Sequence, residues 1–231
     1  MYYLKKALKR WIKGNLGLRT YPGRYDQLLE EIDVLRPKTI LEIGTNDGIN
    51  AVRLFKRASQ YRDDVVYFGF DMFESLTDAT FLKEFALTVP SQKNVDKFLQ
   101  RNGCSRRHLF AGNTIETLNT KKSQLPKMDL VFLDGGHSQE TVASDWINVQ
   151  DLLHAGSVVF FDDYPNWGIG PVVDTIDCEK WDVQILPIED IFSVNRRFVT
   201  ETKSGKMSFK FARVQARSAG SFETPSAILP N

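Results

Sequence analysis

Five short apolar segments along the chain, with stretches of helical periodicity between them, constrain the fold most. They are Thr39–Gly44, Val65–Asp71, Leu109–Gly112, Met128–Asp134 and Ser157–Asp163. Apolar runs of this length are typical of strands buried on both faces of a parallel sheet, with the helices as crossovers. The sequence therefore predicts an α/β fold with a doubly wound, mostly parallel sheet. Its C-terminal strand ends share one edge, where ligands bind.

The last part of the chain has a different pattern. Asp182–Pro187 and Met207–Val214 are predicted strands, and Arg196–Thr202 could pair with the latter through a turn at residues 203–206. Antiparallel strands would then close the parallel sheet with a hairpin. The tail at residues 218–231 is rich in Ser, Ala, Gly and Pro, which predicts a flexible segment.

Charge and cysteine content exclude several classes of protein. The 231 residues include 30 Lys and Arg and 29 Asp and Glu, so a net charge of +1 provides no bulk attraction to nucleic acid. Cys104 and Cys178 form neither a disulfide framework nor a metal-type spacing, which favours a reducing, cytoplasmic setting. No apolar run approaches the roughly 20 residues that span a bilayer. We expect a soluble, single-domain cytoplasmic protein.

Only the N-terminal segment departs from this charge balance. In residues 1–18 the apolar side chains recur at helical spacing, basic side chains lie among them, and no acidic residue is present. This pattern predicts a basic amphipathic helix within residues 1–24. Such a helix could contact a membrane surface or form a lid over an active site. The favoured alternative is a terminal helix packed on its own domain or on a second subunit of a homo-oligomer.

A glycine-rich turn follows the first predicted strand. In Glu42–Gly48 the middle glycine of a dinucleotide-binding pattern is replaced by Asn46. The Glu42 carboxylate would repel a pyrophosphate, whereas it could accept a hydrogen bond from an ammonium or hydroxyl group. The turn therefore favours a cationic amino-acid ligand over a diphosphate. The alternative is a strand-to-helix turn without a ligand.

Acidic residues end the other predicted strands. Asp71 lies where α/β proteins bind the two hydroxyls of a ribose, although it could instead cap the following helix. Asp134 and the pair Asp162–Asp163 would crowd one space if their strands are neighbours about 4.8 Å apart. Three carboxylates without a Cys or His pair favour Mg²⁺ over zinc. Alternatively, one aspartate caps a helix and another binds substrate.

His137 follows Asp134 in the turn Asp134–Gly135–Gly136–His137. An imidazole beside the acidic cluster could accept a proton at neutral pH. The alternative is a surface or capping histidine.

Taken in order, the segments Glu42–Gly48, Phe68–Asp71, Asp129–Asp134 and Val159–Asp163 resemble class I S-adenosylmethionine-dependent methyltransferases. Within that superfamily the chain is similar to the metal-dependent small-molecule O-methyltransferases, especially the macrocin O-methyltransferase-like group. The resemblance covers Tyr25 to Val214.

This resemblance implies a seven-stranded sheet with a C-terminal antiparallel hairpin, in a methyltransferase domain at residues 25–217. Residues 72–101 would form a helical segment on the substrate side. The implied cofactor is S-adenosylmethionine, with Glu42, Gly44 and Gly48 at its methionine part, Asp71 at the ribose, Met72 or Phe73 at the adenosine and Asn113 at the adenine. The full set of expected cofactor contacts is Glu42, Gly44, Thr45, Asn46, Gly48, Asp71, Met72, Phe73, Asn113, Thr114 and Asp134.

By the same resemblance, Asp134, Asp162 and Asp163 would bind Mg²⁺. The macrolide-type enzymes have an aspartate two residues after the first metal ligand, where this chain has Gly136, and the catechol-type enzymes have a lysine at the position of His137. His137 is therefore the predicted base, with Asp134 as the second catalytic residue. The implied acceptor is a hydroxyl of a sugar or other natural-product-type small molecule, bound to Mg²⁺ and deprotonated before it attacks the sulfonium methyl group.

Other functions remain open from the sequence. A metal-independent N- or O-methyltransferase would keep the cofactor. A nicotinamide-dependent oxidoreductase would share the sheet, but Asn46 argues against it. A non-enzymatic module could bind a membrane surface through Lys5–Lys13.

Overall fold

The computed structural model describes residues 23–84, 90–193 and 206–217. The predicted N-terminal helix, the predicted strand Arg196–Thr202 and the predicted C-terminal tail lie outside these ranges.

The sheet has the predicted architecture. Its strands are β1 (Thr39–Ile43), β2 (Val66–Asp71), β3 (Arg107–Ala111), β4 (Met128–Leu133), β5 (Leu153–Tyr164), β6 (Trp181–Ile185), β7 (Asp190–Ser193) and β8 (Lys206–Ala216). They lie in the order β3-β2-β1-β4-β5-β8-β6, and β7 pairs with β8 off this path. Strands β1 to β5 are parallel, whereas β8 runs antiparallel to β5, β6 and β7. The prediction of a mostly parallel sheet closed by antiparallel strands is confirmed.

Helices cover both faces of this sheet. They are α1 (Arg24–Leu35), α2 (Ile49–Ala58), α3 (Asp78–Glu84), α4 (Gln92–Arg101), α5 (Thr114–Lys121), α6 (Gln139–Gln150) and α7 (Ile169–Val173). One core lies under α1, α2 and α4, and the other lies under α5, α6 and α7. Among the described residues, no helix combines the length and the apolar composition needed to cross a membrane.

The segment predicted as helical at residues 72–101 is divided. It comprises a 3₁₀ turn (Phe73–Ser75), α3 and α4. Leu76 is extended, and the Thr77 hydroxyl accepts a hydrogen bond from the Thr80 N–H, so α3 starts anew after the turn. Pro90 and Ser91 precede α4, with Ser91 at its N-cap. The described part of this segment is therefore three short elements, and the cap at Thr77 separates the first two.

The carboxyl ends of β1 and β4 approach each other very closely. A Cβ atom built on Gly44 would lie 1.9 Å from the Asp134 carbonyl oxygen, and Gly44 has a φ of +93°. The Asp134 N–H donates to the Ile43 carbonyl across this contact at 2.8 Å. Strand β1 lies between β2 and β4, so the order of the strands reverses at β1. This contact therefore lies at the switch point of the sheet, where α/β folds bind ligands.

We expect Gly44→Ala to lower the free energy of unfolding by about 1–3 kcal/mol more than Gly103→Ala does. Gly103 has a similar φ of +88°, but no described atom lies within 4 Å of its Cβ position. The two variants therefore share the backbone strain and differ in the steric clash. Urea denaturation measures both, and equal losses would contradict the close-approach argument.

Candidate active site

A cavity of about 320 Å³ opens at the carboxyl edge of the parallel strands. Loops after β1, β2, β3 and β4 and the end of β5 form its wall. Most of the predicted site residues line it: Gly44, Thr45, Asn46, Asp71, Met72, Asn113, Thr114, Asp134, His137, Asp162 and Asp163. The structure therefore brings residues that are far apart in the sequence into one ligand-sized space.

Glu42, Gly48 and Phe73 were predicted to contact the cofactor, but they do not line this cavity. Glu42 is fully buried and accepts a hydrogen bond from the Tyr67 hydroxyl at 2.5 Å. Burial raises the pKa of Glu42 to about 8, against the opposing effect of the Tyr67 hydrogen bond. A Cβ on Gly48 would lie 3.0 Å from the Leu99 side chain, and Phe73 belongs to the core beneath α4. These three residues support the cavity wall from behind.

Asp71 holds the turn after β1 against the end of β2. Its Oδ2 accepts from the Asn46 N–H at 2.7 Å, and its Oδ1 accepts from the Phe73 N–H at 3.1 Å. A carboxylate has about four acceptor positions, so two hydroxyl donors can still be bound. Burial raises the pKa of Asp71, although the backbone hydrogen bonds oppose this shift. The capping role and the predicted ribose-binding role are therefore compatible.

Asn113 and Thr114 lie where the chain leaves β3. The Asn113 side-chain oxygen accepts from the Ile115 N–H at 3.0 Å and caps α5. This cap fixes the loop that forms the cavity wall beyond Met72.

The three predicted metal-binding aspartates do gather at one place. Asp134 follows β4, while Asp162 and Asp163 lie on β5, its hydrogen-bonded neighbour. The pairing of β5 with β8 is irregular between Phe161 and Tyr164, and Asp163 has a φ of +62°. This irregularity brings both β5 carboxylates to the same side chain, which a regular strand would not do.

That side chain is Arg24, at the start of α1. Its Nη1 donates to Asp162 Oδ1 and, at 3.2 Å, to Asp163 Oδ1. The neighbouring Tyr25 hydroxyl donates to Asp162 Oδ2 at 2.8 Å and lies 3.4 Å from Asp134 Oδ2. Only 5 % of the Arg24 side chain is exposed. A buried guanidinium and a phenol therefore bind the oxygens that were predicted to coordinate a metal ion.

These contacts do not fit the predicted Mg²⁺ site. Both oxygens of Asp162 and both oxygens of Asp163 already accept or pair with protein groups. Within residues 23–84, 90–193 and 206–217, no group of three or more His, Cys, Asp or Glu side chains has the arrangement of a metal site. Mg²⁺ requires near-octahedral oxygen coordination, so it would have to displace the guanidinium.

The pKa values of two carboxylates in this cluster are shifted in opposite directions. Burial and the charges of Asp162 and Asp163 raise the pKa of Asp134 well above its ordinary value. Burial also raises the pKa of Asp163, but hydrogen bonds from His137 and Arg24 outweigh it and hold that pKa below the ordinary value. Asp163 is therefore the ionised carboxylate that faces His137.

His137 is held at both ring nitrogens. Its Nδ1 lies 2.6 Å from the Glu84 carbonyl oxygen, which can only accept, so Nδ1 carries a proton. Its Nε2 lies 3.1 Å from Asp163 Oδ2. Burial lowers the pKa of His137, but the bonds to Asp163 and to the Glu84 carbonyl produce a net rise. The ring is thus oriented in the cavity wall and paired with a carboxylate.

The turn that contains His137 depends on Glu84. The Glu84 Oε2 accepts from the N–H groups of His137 and Ser138 at 2.9 and 2.8 Å, and Oε1 accepts from the hydroxyls of Ser138 and Thr141. A carboxylate from α3 therefore binds the free N–H groups before α6.

The site residues predicted from the sequence do not include Arg24, Tyr25 or Glu84. A signal existed for Arg24, because a basic residue at the first position of a helix opposes the helix dipole and requires acidic partners elsewhere. Tyr25 was named only as the start of the region that resembles the methyltransferases. Nothing in the sequence near Glu84 indicates its contacts across 53 residues.

Comparison with known proteins identifies a family. The profile of a family described as "Methyltransferase domain" matches residues 41–164, which is more than half of the chain. This range includes the strands β2, β3, β4 and β5 and the last three residues of β1. No curated protein matched the sequence.

Solved structures share the fold at low sequence identity. An O-methyltransferase from Bacillus cereus, in complex with SAH, is 15% identical with a TM-score of 0.60, over 93% of this chain and 91% of that one. The O-methyltransferase TomG from Streptomyces achromogenes, in complex with SAM, is 16% identical with a TM-score of 0.55, over 82% and 78%. An rRNA methylase from Streptococcus thermophilus is 9% identical with a TM-score of 0.55, over 87% and 100%. These likenesses establish the fold only.

We expect Glu84→Gln to lower the free energy of unfolding by about 1–2 kcal/mol at neutral pH. The amide is uncharged and keeps one acceptor oxygen, so the two N–H groups and the two hydroxyls can no longer all donate to a carboxylate. The hydrogen bonds hold the pKa of Glu84 below its ordinary 4.5 despite burial. The stabilisation is therefore present above that value and is lost as the pH falls through the lowered pKa.

Denaturation at several pH values measures this difference, which should close in acid. The matched control is Glu140→Gln, whose side chain also pairs with Lys83 but is 70% exposed. Its effect should be small, as is usual for surface ion pairs. A loss in Glu84→Gln no greater than in this control would contradict the assigned role of Glu84.

Proposed function

The chain belongs to the methyltransferase domain family as an S-adenosylmethionine-dependent methyltransferase, and from this premise we propose that it methylates a hydroxyl oxygen of a small molecule. The observation that carries the proposal is the single cavity that contains both Asp71 and His137. The Asp71 carboxylate suits the binding of a ribose, and the His137 imidazole suits proton transfer.

The cofactor half of the cavity would lie over the ends of β1, β2 and β3. Asp71 would accept hydrogen bonds from the two ribose hydroxyls, and Met72 and Asn113 would flank the adenine. The turn at Gly44, Thr45 and Asn46 would hold the methionine part. The Bacillus cereus and TomG structures, which contain SAH and SAM, have the same fold and support this assignment.

The other half would bind the acceptor beside His137 and Asp163. When bound, the cofactor supplies a methyl group on a sulfonium sulfur, and loss of this methyl group leaves the sulfur as a neutral thioether. The acceptor oxygen forms the new bond to carbon, and its proton passes to the His137–Asp163 pair. Because Nδ1 donates to the Glu84 carbonyl and Nε2 lies 3.1 Å from Asp163 Oδ2, the imidazole and the carboxylate take up this proton as a unit. Orientation of the hydroxyl by these residues supplies the remaining rate enhancement.

A sugar or a natural-product alcohol is the acceptor that we propose, as opposed to nucleic acid. The near-neutral net charge of +1 supports this, because recognition of nucleic acid relies on clustered positive charge. The Mg²⁺ expected from the sequence resemblance is not part of this proposal. No step is assigned to it, because Arg24 and Tyr25 bind the same carboxylate oxygens.

We expect Asp71→Asn to weaken the binding of S-adenosylhomocysteine by about 10- to 100-fold, which corresponds to the loss of one or two charge-assisted hydrogen bonds. Isothermal titration calorimetry measures the affinity. Asp47→Asn is the control, because Asp47 lines the same cavity and caps α2 through the Ile49 N–H. Equal affinities in all three proteins, or tighter binding of NAD, would contradict the cofactor assignment.

We expect His137→Asn to reduce turnover by about 10²- to 10⁴-fold while S-adenosylhomocysteine affinity changes little, because the residue acts on the acceptor's proton. Formation of S-adenosylhomocysteine is measured with a panel of hexoses, 6-deoxyhexoses and ortho-diphenols. The control His154→Asn removes a histidine that also pairs with an aspartate, Asp129, away from the cavity. Full turnover in His137→Asn would overturn its role as the base.

A further inference from the structure

We propose that Arg24 is the resident cation of the aspartate cluster and that this methyltransferase works without a divalent metal ion. The inference rests on the proposed function, and it assigns a positioning role to a residue outside the region that matches the family.

Groups of the protein already occupy the carboxylate oxygens of the cluster. The Arg24 guanidinium bridges Asp162 and Asp163, and its Nε lies 3.5 Å from Asp190 Oδ2. The Tyr25 hydroxyl binds the remaining oxygen of Asp162. A guanidinium has five donors in a planar arrangement, so one side chain can serve several carboxylates. The charge that a metal ion would supply is thereby supplied by the chain.

Aromatic rings surround the guanidinium of Arg24. The Arg24 guanidinium carbon lies 5.0 Å from the ring centre of Phe211, 5.2 Å from that of Tyr25 and 5.8 Å from that of Phe209. Aromatic faces stabilise a flat, weakly hydrated guanidinium. They suit Mg²⁺ poorly, because that ion keeps several of its water ligands. The site is therefore built for an organic cation.

The backbone that carries Arg24 is fixed by the packing of α1. The helix buries Leu28 and Ile32 completely against the sheet. Glu31 forms a two-point ion pair with Arg213 of β8, with distances of 2.8 and 2.9 Å. The first residue of this anchored helix therefore presents its guanidinium to Asp162 and Asp163 from a fixed position.

The consequence for the reaction is indirect. Arg24 contacts Asp163, and Asp163 contacts His137, so the guanidinium orients this carboxylate beside the predicted base. Arg24 is thus a positioning residue, and Tyr25 fixes the other carboxylates of the cluster.

Mn²⁺ titration followed by electron paramagnetic resonance tests the proposal on the full chain. We expect no saturable Mn²⁺ binding in the wild type. Arg24→Gln should gain a Mn²⁺ site at least about tenfold tighter than any in the wild type, since the carboxylates are released. Arg24→Gln combined with Asp162→Asn should lose that site.

Arg107→Gln is the matched control, because it removes an arginine that forms a two-point ion pair with Asp96 of α4, away from the cluster and from α1. It should bind Mn²⁺ as the wild type does. Saturable Mn²⁺ binding by the wild type would overturn the proposal, and so would a folded Arg24→Gln protein with no gain of binding.

A second measurement uses the wild type alone, in case Arg24→Gln does not fold. Calorimetry with S-adenosylhomocysteine and the rate of its formation should be unchanged by EDTA and by added Mg²⁺. Loss of the rate in EDTA with recovery in Mg²⁺ would overturn the metal-free assignment. Failure of the wild type to bind S-adenosylhomocysteine would instead overturn the proposed function, while the Mn²⁺ titrations would still decide the role of Arg24.

Discussion

Carboxylates buried side by side require a cation or a proton among them, and this requirement organises the carboxyl edge of the sheet. Asp134, Asp162 and Asp163 come together because β4 and β5 are neighbours and β5 is irregular at its end. Arg24 supplies the positive charge, which gives α1 a place in the site although it precedes the first strand. Removal of either partner of such a buried pair costs far more than a surface pair would.

The cavity has two parts with different physical characters. Around Gly44 and Asp71, backbone N–H groups and one carboxylate form a polar surface that is fixed by the close approach of β1 and β4. Around His137 and Asp163, ionisable side chains form a network held by Glu84 on one side and Arg24 on the other. The first part suits the binding of a cofactor, and the second suits proton transfer.

Residues at strand ends could be predicted, because apolar strands that end in glycine or aspartate must share an edge in a parallel sheet. Gly44, Asp71 and Asp134 were found in this way. The contact between Arg24 and Asp162 spans 138 residues, and no periodicity or spacing encodes it. The burial of Glu42 by Tyr67 was equally hidden, because a side chain's surroundings depend on the neighbouring strand and not on its own segment. The sequence therefore indicated which acids gather, while the cation that they bind was visible only in the folded chain.

A crystal structure grown with S-adenosylhomocysteine and Mn²⁺ would test the central claim most directly. The account predicts ribose hydroxyls on Asp71, the Arg24 guanidinium between Asp162 and Asp163, and no anomalous difference peak among the aspartates. An anomalous peak coordinated by Asp134, Asp162 and Asp163, with Arg24 displaced from the cluster, would contradict it.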